Sequence, residues 1–415
     1  MHGKRMTDNS YFIPWIYADR SVRIRTVYFL YMTSKERHEA RYQRRKAKRL
    51  QKKREHLDKY DDFSIAINRN ALAKATHDAS LSVSWKSSVK RFRYHKAINI
   101  KRQTDLLETG RSIHKNFICF SLFERGKRRK IMSVRFSERI VQKSVCQNIL
   151  VPALTRGLIY ENCANQKGKG THLARQMVKD RLSWYYRRYG LEGYSLSIDF
   201  KSFFQNLDHN AIKRMLSDTF TDPRLLDFLY SQLDDYAAFY KRPIGLGLGS
   251  EPNQVFAVTL PSPLDHFIKE KLGIRCYVRY MDDMILIHPS KLYLEECLIE
   301  IREICEKYGF IINERKTQIS KLSRGFTYLK TQYKITETGH IVMKPDRKSI
   351  TRERRKLKKQ AALFYAGKMT LGDISQSYAS WKGSLLDRDS YRTLKRMDAL
   401  YNQLFTIKEV KDNGN

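Results

Sequence analysis

The chain has 415 residues and 80 Lys and Arg against 43 Asp and Glu, a formal net charge of +37. Apolar residues make up 41% of it, enough for two or three units with cores, which excludes a disordered basic tail. So large a positive excess calls for a polyanion: phosphate backbones are the expected partner, and no apolar run approaches the ~20 residues of a membrane span.

Residues 1–31 show little helical periodicity and read as an extension. The apolar run 27–32 is too short to cross a membrane, and no signal-peptide cleavage pattern follows it. Met32 opens a more coherent segment and would serve as a start. Residues 34–58 carry a helical pattern dense in cations, among them Arg37, Arg41, Arg44, Arg45, Lys46 and Lys48. Two readings stand for it: a solvated face, or an RNA-binding arm that orders on its partner.

Short amphipathic stretches fill 60–150, with Trp85 among them. A strand is expected over 117–123, then a basic Gly-bearing turn over 124–130, then a second strand over 131–134. The turn carries Lys127 and Arg129 and suits contact with phosphates. A helix follows over 138–150. The segment Asn165-Gln166-Lys167-Gly168-Lys169-Gly170-Thr171-His172 lacks the GxxxxGK[ST] spacing, which argues against a phosphate-loop NTPase. It reads instead as a turn that contacts template or primer, before a helix over 173–189.

Residues 194–199 form a strand that ends on Asp199, and Asp208 is placed to cap the next helix. Residues 210–240 are helical. A Gly-rich loop, 245–252, leads into a long helix over 253–271. Two short apolar strands, 276–278 and 284–287, then enclose Tyr280-Met281-Asp282-Asp283 as the tip of a hairpin. A helix over 293–308, a strand over 310–312, a hairpin element over 324–332 and basic helices from 349 complete the chain. There is no internal repeat.

Two other Asp pairs, Asp61-Asp62 and Asp234-Asp235, read as solvated surface. Asp282 and Asp283 differ because apolar residues flank them on both sides, where an unpaired charge is costly. The six cysteines form no CxxC and no Cys/His cluster with zinc spacing, so they read as reduced thiols of a cytoplasmic chain.

Carboxylates at strand ends are oxygen ligands suited to Mg²⁺, which binds through one or two carboxylates plus substrate phosphates. Neighbouring antiparallel strands would bring Asp199 to Asp282. Two ions about 3.5–4 Å apart would then activate a 3′ hydroxyl and stabilise departing pyrophosphate. Phosphoryl transfer asks the protein mainly for positioning and charge neutralisation. Lys127 and Arg129 are candidate clamps on a triphosphate, and Lys316 a candidate acid for pyrophosphate.

These residues, in this order, resemble the reverse transcriptases of the bacterial lineage that contains group II intron, diversity-generating and defence-associated enzymes. The similarity runs from about Ser87 to Trp381. It is carried by the basic segment 124–131, Ser197-Ile198-Asp199-Phe200-Lys201-Ser202-Phe203-Phe204, the Gly-rich stretch 245–254, Arg279-Tyr280-Met281-Asp282-Asp283, Asn313-Glu314-Arg315-Lys316-Thr317, and Gly325-Phe326-Thr327-Tyr328-Leu329.

The resemblance implies an α+β right-hand polymerase fold. Its expected parts are an N-terminal extension and basic arm (1–59), fingers (60–190), a palm whose antiparallel sheet carries the YMDD hairpin (191–335), and a helical thumb (336–415). It implies Asp199, Asp282 and Asp283 as catalytic carboxylates, with these and the Phe200 carbonyl at the metal. Lys127, Arg129, Gln254, Tyr280, Met281 and Lys316 would bind substrate, and Phe204 would be the aromatic gate against a 2′ hydroxyl. The cofactor would be Mg²⁺, two ions, with Mn²⁺ able to substitute. The partners would be a dedicated non-coding template RNA, cDNA and dNTPs, with an accessory protein or a homo-oligomer, and no membrane.

Two departures stand out. Leu248 occupies a position where many relatives have Gln, followed by Asn253 where the diversity-generating form has Ser. Lys330 stands where many relatives have Gly, which bears on priming. No RNase H, endonuclease, protease or zinc-binding region is visible, so the chain reads as one component of an anti-phage defence system. A diversity-generating enzyme for mutagenic retrohoming and a non-catalytic RNA-binding scaffold are the alternatives.

Overall fold

The computed structural model describes residues 33–124 and 127–405. The expected extension and the apolar run 27–32 lie outside them. The chain divides into two compact units, the first ending at Asp58 and the second beginning at Lys59.

The first unit holds helix α1, Ser34–Leu57. Thr33 and Glu36 close a reciprocal capping box: the Glu36 N–H donates to Thr33 Oγ1 at 3.3 Å, and the Thr33 N–H donates to Glu36 Oε2 at 2.7 Å. Such a box satisfies two N–H groups that a helix start leaves orphaned. Arg41, Arg44, Lys48 and Lys52 stand exposed along it.

The second unit opens with four short helices: α2 (Ser64–Ile67), α3 (Arg69–Ser80), α4 (Ser87–Tyr94) and α5 (Lys96–Glu108). Strands β1 (Ile118–Glu124) and β2 (Lys127–Ser133) form an antiparallel hairpin. The basic residues 127–130 are therefore strand, not turn, because Glu124 pairs with Lys127 and pairing runs on from there. Helix α6 (Phe136–Val145) runs through a π turn, Cys146–Leu150, into α7 (Val151–Leu154). Helix α8 spans Thr171–Tyr189 and stops at Gly190, whose φ of 66° is the left-handed stop that Gly favours.

Strand β3, Tyr194–Asp199, has the expected bounds. After a short turn of helix, α9 (Phe203–Asn206), Asp208 caps α10 (His209–Ser217), accepting from the Asn210 N–H at 2.9 Å. The helical region expected through 240 breaks here. Asp222 caps a second helix, α11 (Pro223–Tyr240), with Pro at its first position, where the missing N–H costs nothing. The long helix expected over 253–271 is likewise interrupted: α12 (Glu251–Thr259), α13 (Ser262–His266) and a π turn, Phe267–Lys271. Pro261 and Pro263 remove the N–H groups that a continuous helix requires.

Strands β4 (Cys276–Tyr280) and β5 (Asp283–His288) follow, then α14 (Lys291–Lys307) and β6 (Gln318–Lys321). These make a four-stranded antiparallel sheet in the order β4-β5-β3-β6. Met284, Ile285, Leu286 and Ile287 are all buried, a continuous apolar run that fits a strand covered on both faces. On one face α8 contributes Ala174, Met177, Val178, Leu182 and Tyr185 to a core with Val278, Ile285 and Ile287. The expected strand 310–312 is reduced to one bridge, Phe200 with Ile312.

A second sheet, β7 (Phe326–Tyr328), β8 (Thr331–Ile335) and β9 (Ile341–Pro345), shares that core through Tyr328, Tyr333, Ile335, Ile341 and Met343. Three helices end the described chain: α15 (Arg347–Tyr365), α16 (Leu371–Gly383) and α17 (Tyr391–Phe405). They pack on Leu357, Ile374, Tyr378, Met397 and Phe405, with Tyr378 and Tyr401 stacked at 4.7 Å. The cations Arg352, Arg354, Arg355, Lys358 and Lys359 point outward from α15.

Two of the acidic pairs read as solvated are otherwise engaged. Asp61 accepts from Thr221 and Asp222 N–H groups at 2.8–2.9 Å. Asp235 lies 3.5 Å from His114, which also contacts buried Glu138 at 3.2 Å. Burial raises the pKa of both Asp235 and Glu138. These carboxylates hold loops and helices together rather than simply facing water.

Candidate active site

Register alone joins two carboxylates that are far apart in sequence. Asp199, the last residue of β3, pairs directly with Asp283, the first of β5. Opposed residues of an antiparallel pair carry their Cβ atoms about 4.5–5.5 Å apart on one face. Tyr280 and Asp283 close the β4–β5 hairpin, leaving Met281 and Asp282 as its two-residue turn. Asp282 therefore reaches the site from the turn, while Asp283 is the register partner of Asp199. Met281 has a φ of 55°, a conformation that disfavours any side chain and persists only where its surroundings hold it.

Asp199 is buried, whereas Asp282 and Asp283 are half-buried. Burial, then the charges of Asp282 and Asp199, push the Asp283 carboxyl up to about 7. Burial likewise raises Asp282, with Asp199 adding to it and Lys316 and Arg129 opposing it. Three carboxylates crowded in this way favour any cation that enters.

One is already there. Lys316 Nζ donates to both oxygens of Asp199 at 2.7 and 2.8 Å, and Asn313 Nδ2 donates to one of them at 3.0 Å. Burial works against the Lys316 charge, but the bonds to Asp199 and the charges of Asp199, Asp283 and Asp282 raise its pKa overall. Among the described residues, no three His, Cys, Asp or Glu side chains are gathered closely enough to hold a metal ion as they stand. The donor set, oxygen only and short of positive charge, nonetheless has the chemistry of a site for a hard divalent cation. A cleft of about 330 Å³ opens here, lined by Asp199, Asp283, Lys316, Thr327 and Leu329.

Residues 113–335 match the model of the family described as reverse transcriptase (RNA-dependent DNA polymerase). The chain belongs to the reverse transcriptase family. Its antiparallel sheet with the acidic hairpin and its helical surroundings make an α+β right-hand polymerase fold. Telomerase from Candida albicans, solved with a TWJ fragment of telomeric RNA, is 14% identical with a TM-score of 0.44, over 62% of this chain and 52% of that one. Apo telomerase from Candida tropicalis is 14% identical with a TM-score of 0.43, over 69% and 62%. A form truncated of its C-terminal domain is 17% identical at 0.43, over 56% and 55%. The chain thus spans between half and two thirds of these telomerases. No curated protein matches it.

The remaining sequence-selected residues of this family member fall in different places. Phe204 is half-buried, while its neighbours Phe200 and Phe203 are buried and stack on each other at 5.3 Å. Phe204 alone of the three keeps an accessible ring. Arg129 lies exposed on β2 and close enough to act on the Asp282 charge. Lys127 opens β2, and its side chain lies outside the described part. Tyr280 is half-buried against the α8 core.

Gln254 is not in the carboxylate cleft. It lines a separate cleft of about 450 Å³ with Asn165, Gly249, Arg139 and Lys143. The Gly-rich loop reaches β2 there: the Met132 N–H donates to the Leu248 carbonyl at 3.1 Å. Gly247 is packed between α11 and β2: a Cβ on it would lie 2.5 Å from the Tyr236 ring and 3.1 Å from Met132 Cβ. The basic turn 165–172 is only partly free for a ligand, because Lys169 Nζ is bonded to the Asn162 and Tyr160 carbonyls at 2.9 and 3.1 Å.

Sequence reasoning quoted two residues within the motifs without giving either a role. Asn313 holds Asp199 through both its N–H at 2.8 Å and its side-chain amide. Arg279 is fully buried behind the acidic turn. A lone Arg inside an apolar strand was the available signal for it.

Proposed function

We propose that this chain copies RNA into DNA, adding dNTPs to a primer at the Asp199–Asp282–Asp283 cleft. The carrying observation is the register that sets Asp199 against Asp283 at the end of the acidic hairpin. Two divalent ions, Mg²⁺ with Mn²⁺ as substitute, would be held by these three residues and the Phe200 carbonyl, supplying charge neutralisation and activation of a 3′ hydroxyl. The half-exposed Phe204 ring would exclude a 2′ hydroxyl, the group that separates ribonucleotides from deoxyribonucleotides. Lys127 and Arg129 bind the triphosphate. Lys316 gives its proton to the leaving pyrophosphate. Tyr280 and Met281 would lie near the primer end, and Gln254 would contribute to substrate binding.

The same proposal extends to lineage and role. The six ordered motifs support the bacterial lineage of group II intron, diversity-generating and defence-associated enzymes. Within it we favour a cytoplasmic anti-phage defence component that copies a dedicated RNA. The high positive charge supports RNA and cDNA as standing partners.

Purified protein should incorporate dTTP on poly(rA)·oligo(dT) with Mg²⁺, and Asp282→Ala with Asp283→Ala should abolish it. Unchanged incorporation in that variant would sink the site assignment. Sequencing the nucleic acid that copurifies tests the role: a defined cDNA favours defence, and adenine-mutagenised copies favour diversification.

A further inference from the structure

The acidic turn is held from behind by a residue outside the carboxylate set. We propose that Arg279, locked by Asp265, is a positioning residue that fixes the Met281 carbonyl and so the geometry in which Asp282 and Asp283 meet Asp199. This deepens the polymerase reading and rests on it.

Strand alternation creates the arrangement. Tyr277 and Arg279 are two apart on β4, so they share one face, opposite the face that Val278 gives to the α8 core. Both turn to Asp265 on α13. Asp265 Oδ1 accepts from the Tyr277 hydroxyl at 2.6 Å and from Arg279 Nε at 2.7 Å, and Oδ2 accepts from Nη2 at 2.7 Å. Arg279 and Asp265 are both fully buried. The guanidinium then spends its other donors on backbone. Nη1 donates to the Met281 carbonyl at 2.9 Å, and Nη2 to the Val258 carbonyl on α12 at 2.9 Å. The Arg279 backbone is itself pinned, its N–H on the Glu161 carbonyl and its carbonyl under the Cys163 N–H, each at 3.0 Å.

Stability alone does not account for this pair. A buried ion pair is commonly no more stable than an apolar pair of similar volume. An apolar pair offers nothing, however, to the Met281 carbonyl. That carbonyl belongs to the planar peptide unit that also contains the nitrogen and Cα of Asp282. Holding the oxygen therefore holds the plane from which the Asp282 side chain leaves. Met281 sits at a φ of 55°, a conformation that needs such outside support. Through Val258 the same guanidinium ties the turn to α12, the helix that carries Asn253 and Gln254.

The test uses the full chain with three variants: Arg279→Met combined with Asp265→Leu, Asp265→Asn alone, and Arg279→Lys. The readouts are melting temperature, poly(rA)·oligo(dT) affinity by anisotropy, single-turnover dTTP incorporation, and Mn²⁺ affinity by electron paramagnetic resonance without nucleotide. We expect the apolar double variant to fold and to keep template–primer affinity. Its incorporation rate should fall on the order of 10²-fold, the scale of a 1 Å misplacement, and Mn²⁺ should bind more weakly. Arg279→Lys, which keeps the charge, should recover part of both.

A folded double variant with wild-type rate and wild-type Mn²⁺ affinity overturns the proposal. So does unfolding of both that variant and Asp265→Asn, which would make the pair an element of the fold only. If the wild-type protein incorporates nothing, the polymerase reading fails instead, and the Mn²⁺ comparison still decides the clamp.

Discussion

Lys316 Nζ bridges both carboxylate oxygens of Asp199, at 2.8 and 2.7 Å. On the proposed two-metal reading, the ammonium and a divalent cation would compete for this one carboxylate. Lys316→Met should therefore shift two quantities in opposite directions. Mn²⁺ affinity measured without nucleotide should rise, because the competing cation is gone. Incorporation should fall by about 10²–10⁴-fold, the usual contribution of a positioned acid. A merely superficial lysine would move neither quantity.

Asp283 yields a pH prediction. Burial and then its acidic neighbours push its carboxyl up to about 7, well above the usual carboxylate range. A carboxyl raised on folding contributes stability that is fully present below the unfolded pKa and is lost as pH rises through the folded one. Without divalent metal, the protein should lose stability between about pH 4 and pH 7 through this group. Asp283→Asn removes the ionisation. Its melting temperature should exceed that of the wild type at pH 8, with the gap closing at pH 4. Parallel melting curves at both pH values would show that Asp283 ionises in the fold without strain.

The three phenylalanines after Asp199 separate by exposure. Phe203 is buried against Phe200 and Phe310, so Phe203→Ala should cost about 3–5 kcal/mol of stability. Phe204, half-buried, contributes its backbone carbonyl to Leu246 at 2.7 Å, a bond that survives truncation of the ring. Phe204→Ala should stay folded and accept rATP far more readily relative to dATP. An unchanged ribo-to-deoxy ratio would assign the Phe204 ring to packing.

These contrasts show what the residues disclose by themselves and what they do not. The strands of the carboxylate site were legible because Tyr194–Asp199 ends on a carboxylate and the run from Met284 to Ile287 begins just after one, each at a sharp change of polarity. The Asp199–Asp283 pairing needed register, which depends on the whole sheet. Strand β6 escaped notice because Gln-Ile-Ser-Lys is short and polar, and β9 because it lies beside the hairpin already expected. The β1–β2 turn was drawn too wide, since charge suggested a loop while cross-strand pairing continued. Arg279 was invisible as a pillar because its partner Asp265 lies on a different element.

The β7–β8 turn offers a last test. Tyr328 pairs with Thr331, so Leu329 and Lys330 are its two central residues, with φ of 46° and 61°. Both are left-handed, the pattern that favours Asn-Gly in two-residue hairpins. A side chain there costs roughly 1–2 kcal/mol per residue. Leu329 lines the carboxylate cleft, and Lys330 is exposed at the tip beside it. A strained cation kept in this place suits contact with a primer phosphate better than it suits the turn. Lys330→Gly should thus raise unfolding stability by about 1 kcal/mol in a denaturant titration. It should at the same time weaken template–primer binding, and reduce the slope of log affinity against log salt by about 1. The opposite signs matter, because a variant that bound poorly through damage to the fold would lose stability as well. Gain of stability with unchanged salt dependence would leave Lys330 a strained turn residue with no hold on the duplex.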